Sequence, residues 1–82
     1  MPTLAELRAQ IDALDAEILA KLSARARCAQ QVGDSKRAEG STQVAYYRPE
    51  RERQVLERVA AMNTGPLPDQ EVMRLFREIM SA

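Results

Sequence analysis

From Leu4 onward the apolar residues Leu4, Leu7, Ile11, Leu14 and Ile18 alternate three and four apart, and Leu22, Ala29 and Val32 carry the stripe further. This spacing predicts one long helix, from about Thr3 to Arg37, with a heptad-like seam along one side. Thr3 followed by Glu6 has the form of a capping box at its start. From Leu4 to Lys36 such a helix is roughly 50 Å long at 1.5 Å per residue. That is too long to pack within a compact monomer of 82 residues. A chain this short buries only about 60–65% of its unfolded surface, so a lone subunit is marginal. Cys28 is the single cysteine and forms no disulfide within the chain. With no histidine besides, no metal site is expected. A second subunit is the remaining common source of stability.

The rest of the chain predicts two shorter helices. Gly40, Ser41 and Thr42 mark a loop. Pro49 suits the first position of a second helix, because its missing amide hydrogen would be unpaired there anyway. Glu50 and Glu52 suit the positive end of that helix, and Val55, Leu56, Val59 and Met62 supply its apolar side. Gly65 and Pro66 end it. A third helix starts near Pro68 or Asp69, with Val72, Leu75, Phe76, Ile79 and Met80 as its stripe. The fold class is therefore all-α: three helices, one long and two shorter. The stop at Ala82, with no cap and no polar tail, suggests the N-terminal part of a longer protein whose last helix is cut short.

Charge narrows the partners. Twelve basic residues balance twelve acidic ones, which disfavours nucleic acid, since that needs a net basic face. Ten of the twelve bases are arginine, the residue suited to fixed planar contacts with carboxylates and phosphates. No apolar run approaches the ~20 residues of a membrane span, and no signal peptide is visible. The expected setting is soluble and cytoplasmic.

Some cations lie where an apolar seam should be. Arg25 and Lys36 are eleven residues apart, so they share a helix face with an offset of only about 20°, roughly 16 Å apart along the axis. Their neighbours on that face are Ala29 and Val32. Solvated charge is the plainer reading of such residues, and long side chains can snorkel. Arg8 borders the seam residues Leu7 and Ile11 but lies about 25 Å along the axis from Arg25. A second copy packed antiparallel brings its Arg8 near the first copy's Arg25, and two-fold symmetry then makes two equivalent sites. In the second helix Arg51 and Glu52 border the apolar side, each four residues before Val55 and Leu56. Arg53 and Glu57 have the spacing of a surface ion pair. Without histidine there is no Ser-His or Cys-His nucleophile, and there is no Gly-rich phosphate loop. A catalyst made from these residues works by holding and polarising its substrate.

The stretches LAELRAQIDALDAEILAKLSARARCAQQVGDSK, YYRPERERQVLER and LFREIM together resemble the all-helical class of chorismate mutase. The likeness is strongest to the N-terminal mutase domain of bifunctional chorismate mutase/prephenate dehydratases, and it covers nearly the whole chain. It implies an intertwined antiparallel homodimer, three helices per subunit, that converts chorismate to prephenate on the route to phenylalanine and tyrosine without a cofactor. By the resemblance, Arg8 reaches across the dimer to a substrate carboxylate, and Arg25 binds a carboxylate from within the main subunit. Lys36 meets a carboxylate and the ether oxygen, Arg51 adds a further cation, and Glu52 accepts from the substrate hydroxyl. Arg48, four residues before Glu52, stands where the best-known member of the family carries an acidic residue near that hydroxyl, and is kept as a binding candidate. The family's last helix also supplies a polar residue to the ether oxygen at a position past Ala82, which puts the activity of this stretch alone in doubt. The same pattern admits two other readings: an isochorismate–pyruvate lyase of this fold, and a non-catalytic helical module used for dimerisation or regulation.

Overall fold

The computed structural model describes residues 1–38 and 49–82, with side chains in the first stretch described through residue 35. Three helices follow in order: α1 (Leu4–Ala38), α2 (Pro49–Met62) and α3 (Asp69–Ser81), and no strand occurs among the described residues. The chain divides into two units, Met1–Val44 with α1 and Ala45–Ala82 with α2 and α3.

The start of α1 is fixed by Thr3. Its Oγ1 accepts a hydrogen bond from the Glu6 N–H at 3.1 Å, and its carbonyl accepts from the Leu7 N–H at 3.0 Å. The first bond caps one of the amides that a helix start leaves unpaired, and the second opens the backbone ladder of the helix. No proline lies between Leu4 and Ala38, so 35 residues run without a break. At 1.5 Å per residue α1 is about 52 Å long. Along its seam Leu7, Ile11, Leu14, Ile18, Leu22 and Val32 are all exposed, Ile11 and Ile18 by more than half.

Within the second unit, α2 begins at Pro49, with Glu50 and Glu52 in its first turn. Arg53 Nη2 pairs with Glu50 Oε1 at 2.6 Å, and its Nη1 with Glu57 Oε1 at 3.3 Å, so one guanidinium ties two turns together on the solvent side. The apolar face of α2 packs with that of α3. Val55 is 2% exposed, and Leu56, Val59, Val72, Phe76, Ile79 and Met80 are half-buried. Two expected members of these stripes lie outside the packing, Leu75 at its edge and Met62 at 69% exposure. Met62 is the last residue of α2, and the helical line through Leu56 and Val59 leads instead to Asn63, which is half-buried.

The connection from Asn63 to Pro68 turns at Gly65, whose φ of +81° suits a residue without a Cβ. A Cβ there would meet nothing within 4 Å, so the demand for glycine is torsional and not steric. Helix α3 then starts after Pro68, whose carbonyl accepts from Glu71 N–H at 3.0 Å and Val72 N–H at 3.1 Å. At its far end the Ala82 N–H reaches the Ile79 carbonyl at 3.3 Å, so the last turn is closed by the backbone where the sequence offered no cap.

Val55 is the one buried side chain among the described residues. Val55→Ala should cost about 2 kcal/mol, two methyl groups plus the void they leave. Met62→Ala should stay within about 0.5 kcal/mol, as an exposed substitution does. Urea unfolding of both variants checks the contrast.

Candidate functional site

The candidate residues fall on two elements. Arg8, Arg25 and Lys36 belong to α1, and Arg51 and Glu52 to the first turn of α2. Arg48 lies outside the described residues, as does the side chain of Lys36, whose backbone continues α1.

On α1 the helix settles the spacing. Because α1 runs unbroken from Leu4 to Ala38, Arg25 and Lys36 stand on one face about 16 Å apart, and Arg8 lies about 25 Å from Arg25. A small molecule spans roughly the size of a few bonded rings, so one copy of α1 cannot grip it with Arg8 and Arg25 together. Arg25 differs from the other charged residues of α1 with described side chains. It alone is half-buried, while the others are exposed. Its neighbours on that face are Leu22, Ala29 and Val32, apolar surface along which an arginine stem can lie.

On α2, Glu52 heads the helical line that continues through Leu56, Val59 and Asn63, the line that turns inward further along. Arg51 heads the neighbouring line through Val55, Arg58 and Met62. Both side chains are exposed. The apolar border expected for them is therefore real in register, and the first turn of α2 carries them clear of the packing.

Pairing separates these arginines from others. Arg53 is held by Glu50 and Glu57, and Arg74 by Glu71, with Nη2 to Oε2 at 2.6 Å and Nε to Oε2 at 3.1 Å. Among the described residues, the side chains of Arg8, Arg25, Arg51 and Glu52 make no hydrogen bond or ion pair. Lys21, Arg27, Arg58 and Arg77 are equally unpaired. Freedom alone does not mark a site. What sets Arg8, Arg25 and Lys36 apart is position, beside or within the seam. No group of three or more metal-ligating side chains occurs among the described residues, and no described helix is long and apolar enough to cross a membrane.

Arg74 has a local consequence for Glu71. Its hydrogen bond, and secondarily its charge, hold the Glu71 carboxyl below its ordinary value of 4.5. A depressed carboxyl contributes stability above its unfolded value and loses it as pH falls through its folded value. Wild type and Glu71→Gln should thus differ in stability at neutral pH and converge on acidification below pH 4.5. The pair is exposed, so high salt should shrink the difference. Thermal melts over pH at two salt concentrations read this directly.

The family model for chorismate mutase type II matches residues 7–82. A bifunctional chorismate mutase/prephenate dehydratase of Pseudomonas aeruginosa is 52% identical over 79 residues, covering 93% of this chain and 21% of that protein. One from Neisseria gonorrhoeae is 53% identical over 74 residues, 90% of this chain and 19% of that protein. The chain thus spans about a fifth of the length of the curated relatives it matches. Among solved structures, a chorismate mutase (form II) from Thermus thermophilus superposes with a TM-score of 0.82 at 37% identity. That match covers 92% of this chain and 82% of the other.

Proposed function

The chain belongs to the chorismate mutase type II family, and from that membership we propose that it converts chorismate to prephenate as a homodimer with two shared sites. The observation that carries the proposal is the placement of unpaired cations on a helix whose apolar seam is exposed along its length. A covering for the seam and a ligand for the cations are both wanted. A second α1, packed antiparallel, supplies the first and creates the second, because it carries its own Arg8 toward the first copy's Arg25.

The chemistry needs no nucleophile and no general base, which suits a chain without histidine. Chorismate is a dianion, and its rearrangement is pericyclic. The carbon–oxygen ether bond breaks while a carbon–carbon bond forms, with no nucleophile and no net proton transfer. Arg8 of the second copy and Arg25 of the first each take a carboxylate, holding the substrate in the compact conformation in which the reacting carbons meet. Bond breaking runs ahead of bond making, so negative charge grows on the ether oxygen, and Lys36 receives it. Arg51 adds positive potential, Glu52 accepts from the ring hydroxyl, and Arg48 is kept as a further binding candidate. In this reading the chain is the mutase part of a longer bifunctional enzyme of aromatic amino-acid synthesis, at work in the cytoplasm. The names of the relatives support that assignment.

Two expectations follow for turnover, measured as loss of chorismate absorbance. Lys36→Ala should lower kcat by about a hundredfold to a thousandfold, the usual effect of removing one preorganised charge donor, with helical circular dichroism unchanged. Near-normal turnover contradicts the role of Lys36. The same preparation given isochorismate should release no pyruvate; pyruvate from isochorismate without prephenate from chorismate assigns the lyase instead.

The neighbouring arginines Arg51 and Arg53 should separate as well. Arg51→Ala should raise KM about tenfold or more, the worth of a charged hydrogen bond to substrate. Arg53→Ala, whose guanidinium is already taken by Glu50 and Glu57, should change kcat/KM less than about twofold. Equal losses in the two variants contradict the assignment of Arg51.

A further inference from the structure

The two ends of the α2–α3 hairpin are closed by different means. Val55, nearer the start of α2, is 2% exposed. At the connection the apolar side chains contribute little, with Met62 69% and Leu67 50% exposed, and the nearest packed ones are the half-buried Val59 and Val72. The polar Asn63, between Met62 and Leu67, is less exposed than either. Its amide makes three contacts across the turn. Oδ1 accepts from the Gly65 N–H at 3.0 Å. Nδ2 donates to the Leu67 carbonyl at 2.7 Å and to Asp69 Oδ1 at 2.8 Å. The Asn63 backbone N–H is itself fixed to the Ala60 carbonyl at 3.3 Å.

We propose that Asn63 is a latch that ties the end of α2 to the first turn of α3 and sets the angle at which α3 leaves the turn. The side-chain chemistry is specific. The site needs one acceptor and two donors at the end of a short stem, and asparagine is the side chain that offers them. Aspartate keeps the acceptor but loses both donors. Alanine loses all three contacts. Glutamine has the groups on a stem one methylene longer. The far partner, Asp69, sits in the first turn of α3, where the helix dipole also favours its negative charge. Because the connection itself has little apolar cover, with Met62 and Leu67 exposed, the latch opens as a local unit: the turn over 63–69 loosens while the contacts around Val55 persist. The latch involves none of the candidate substrate residues, so it stands or falls apart from the proposed activity.

Hydrogen exchange and melting test it. In the wild type the Gly65 amide, held by Asn63, should exchange at least about tenfold more slowly than the Thr64 amide, which has no acceptor among the described residues. Asn63→Ala should remove that difference. Asn63→Asp sets two carboxylates against each other and should melt below Asn63→Ala at neutral pH. Adding Asp69→Asn restores a donor between the two positions, so the double variant should melt above Asn63→Asp alone. Equal exchange at Thr64 and Gly65 in the wild type overturns the latch. So does a double variant that melts no higher than Asn63→Asp.

Discussion

A helix of 35 residues with an apolar side needs that side covered, and the seam residues of α1 are exposed. Each buried methylene is worth about 0.8 kcal/mol, so the exposed leucines and isoleucines of α1 hold several kcal/mol that the lone chain does not use. The α2–α3 hairpin is small and buries one side chain among the described residues, Val55. The stability of the whole therefore leans on what the seam meets. In the proposed dimer it meets its own copy, and the same pairing that supplies missing apolar burial brings in the missing cation.

That coupling explains why charges are tolerated beside a surface meant for burial. An unpaired cation held in an apolar groove is costly, and a surface that serves only association does better without it. A dianionic ligand reverses the sign, since each guanidinium then gains a carboxylate in a site drier than bulk water. Arg53 and Arg74 illustrate the alternative fate. They sit on solvent-facing sides, and glutamates one turn away occupy them. Arg25 and Arg51 have no acidic residue one turn away on their helices, Arg8 makes no ion pair with Asp12 four residues on, and all three remain available.

Much of this was legible in the residues alone. The seam spacing placed α1 within one residue of its observed ends, Thr3 supplied the cap that its spacing from Glu6 suggested, and Pro49 opened α2. These are local effects, set by one side chain and the next turn, and periodicity captures them. The family was legible too, because a fixed set of charges at fixed intervals carries more information than a stripe of leucines. The rest depended on contacts that periodicity does not encode. Met62 has the spacing of a buried residue but ends its helix, and Asn63 takes the inward line. The amide network of Asn63 joins residues six apart through a turn, which no helical repeat foreshadows. The half-burial of Arg25 likewise became visible only in the fold. The roles of Arg8, Arg25, Lys36, Arg48, Arg51 and Glu52 remain proposals that rest on placement and family likeness.

The claim that each site is shared between two copies has a direct measurement. Arg8→Ala and Arg25→Ala are each prepared, unfolded, mixed in equal amounts and refolded together, and chorismate turnover is compared with the unmixed parents. If Arg8 of one copy serves the site of the other, half the refolded dimers are mixed, and each mixed dimer holds one intact site and one doubly altered site. Two nearly inactive parents should then give about a quarter of wild-type activity. A mixture no more active than its parents, with mixed dimers verified by mass spectrometry, contradicts the shared site.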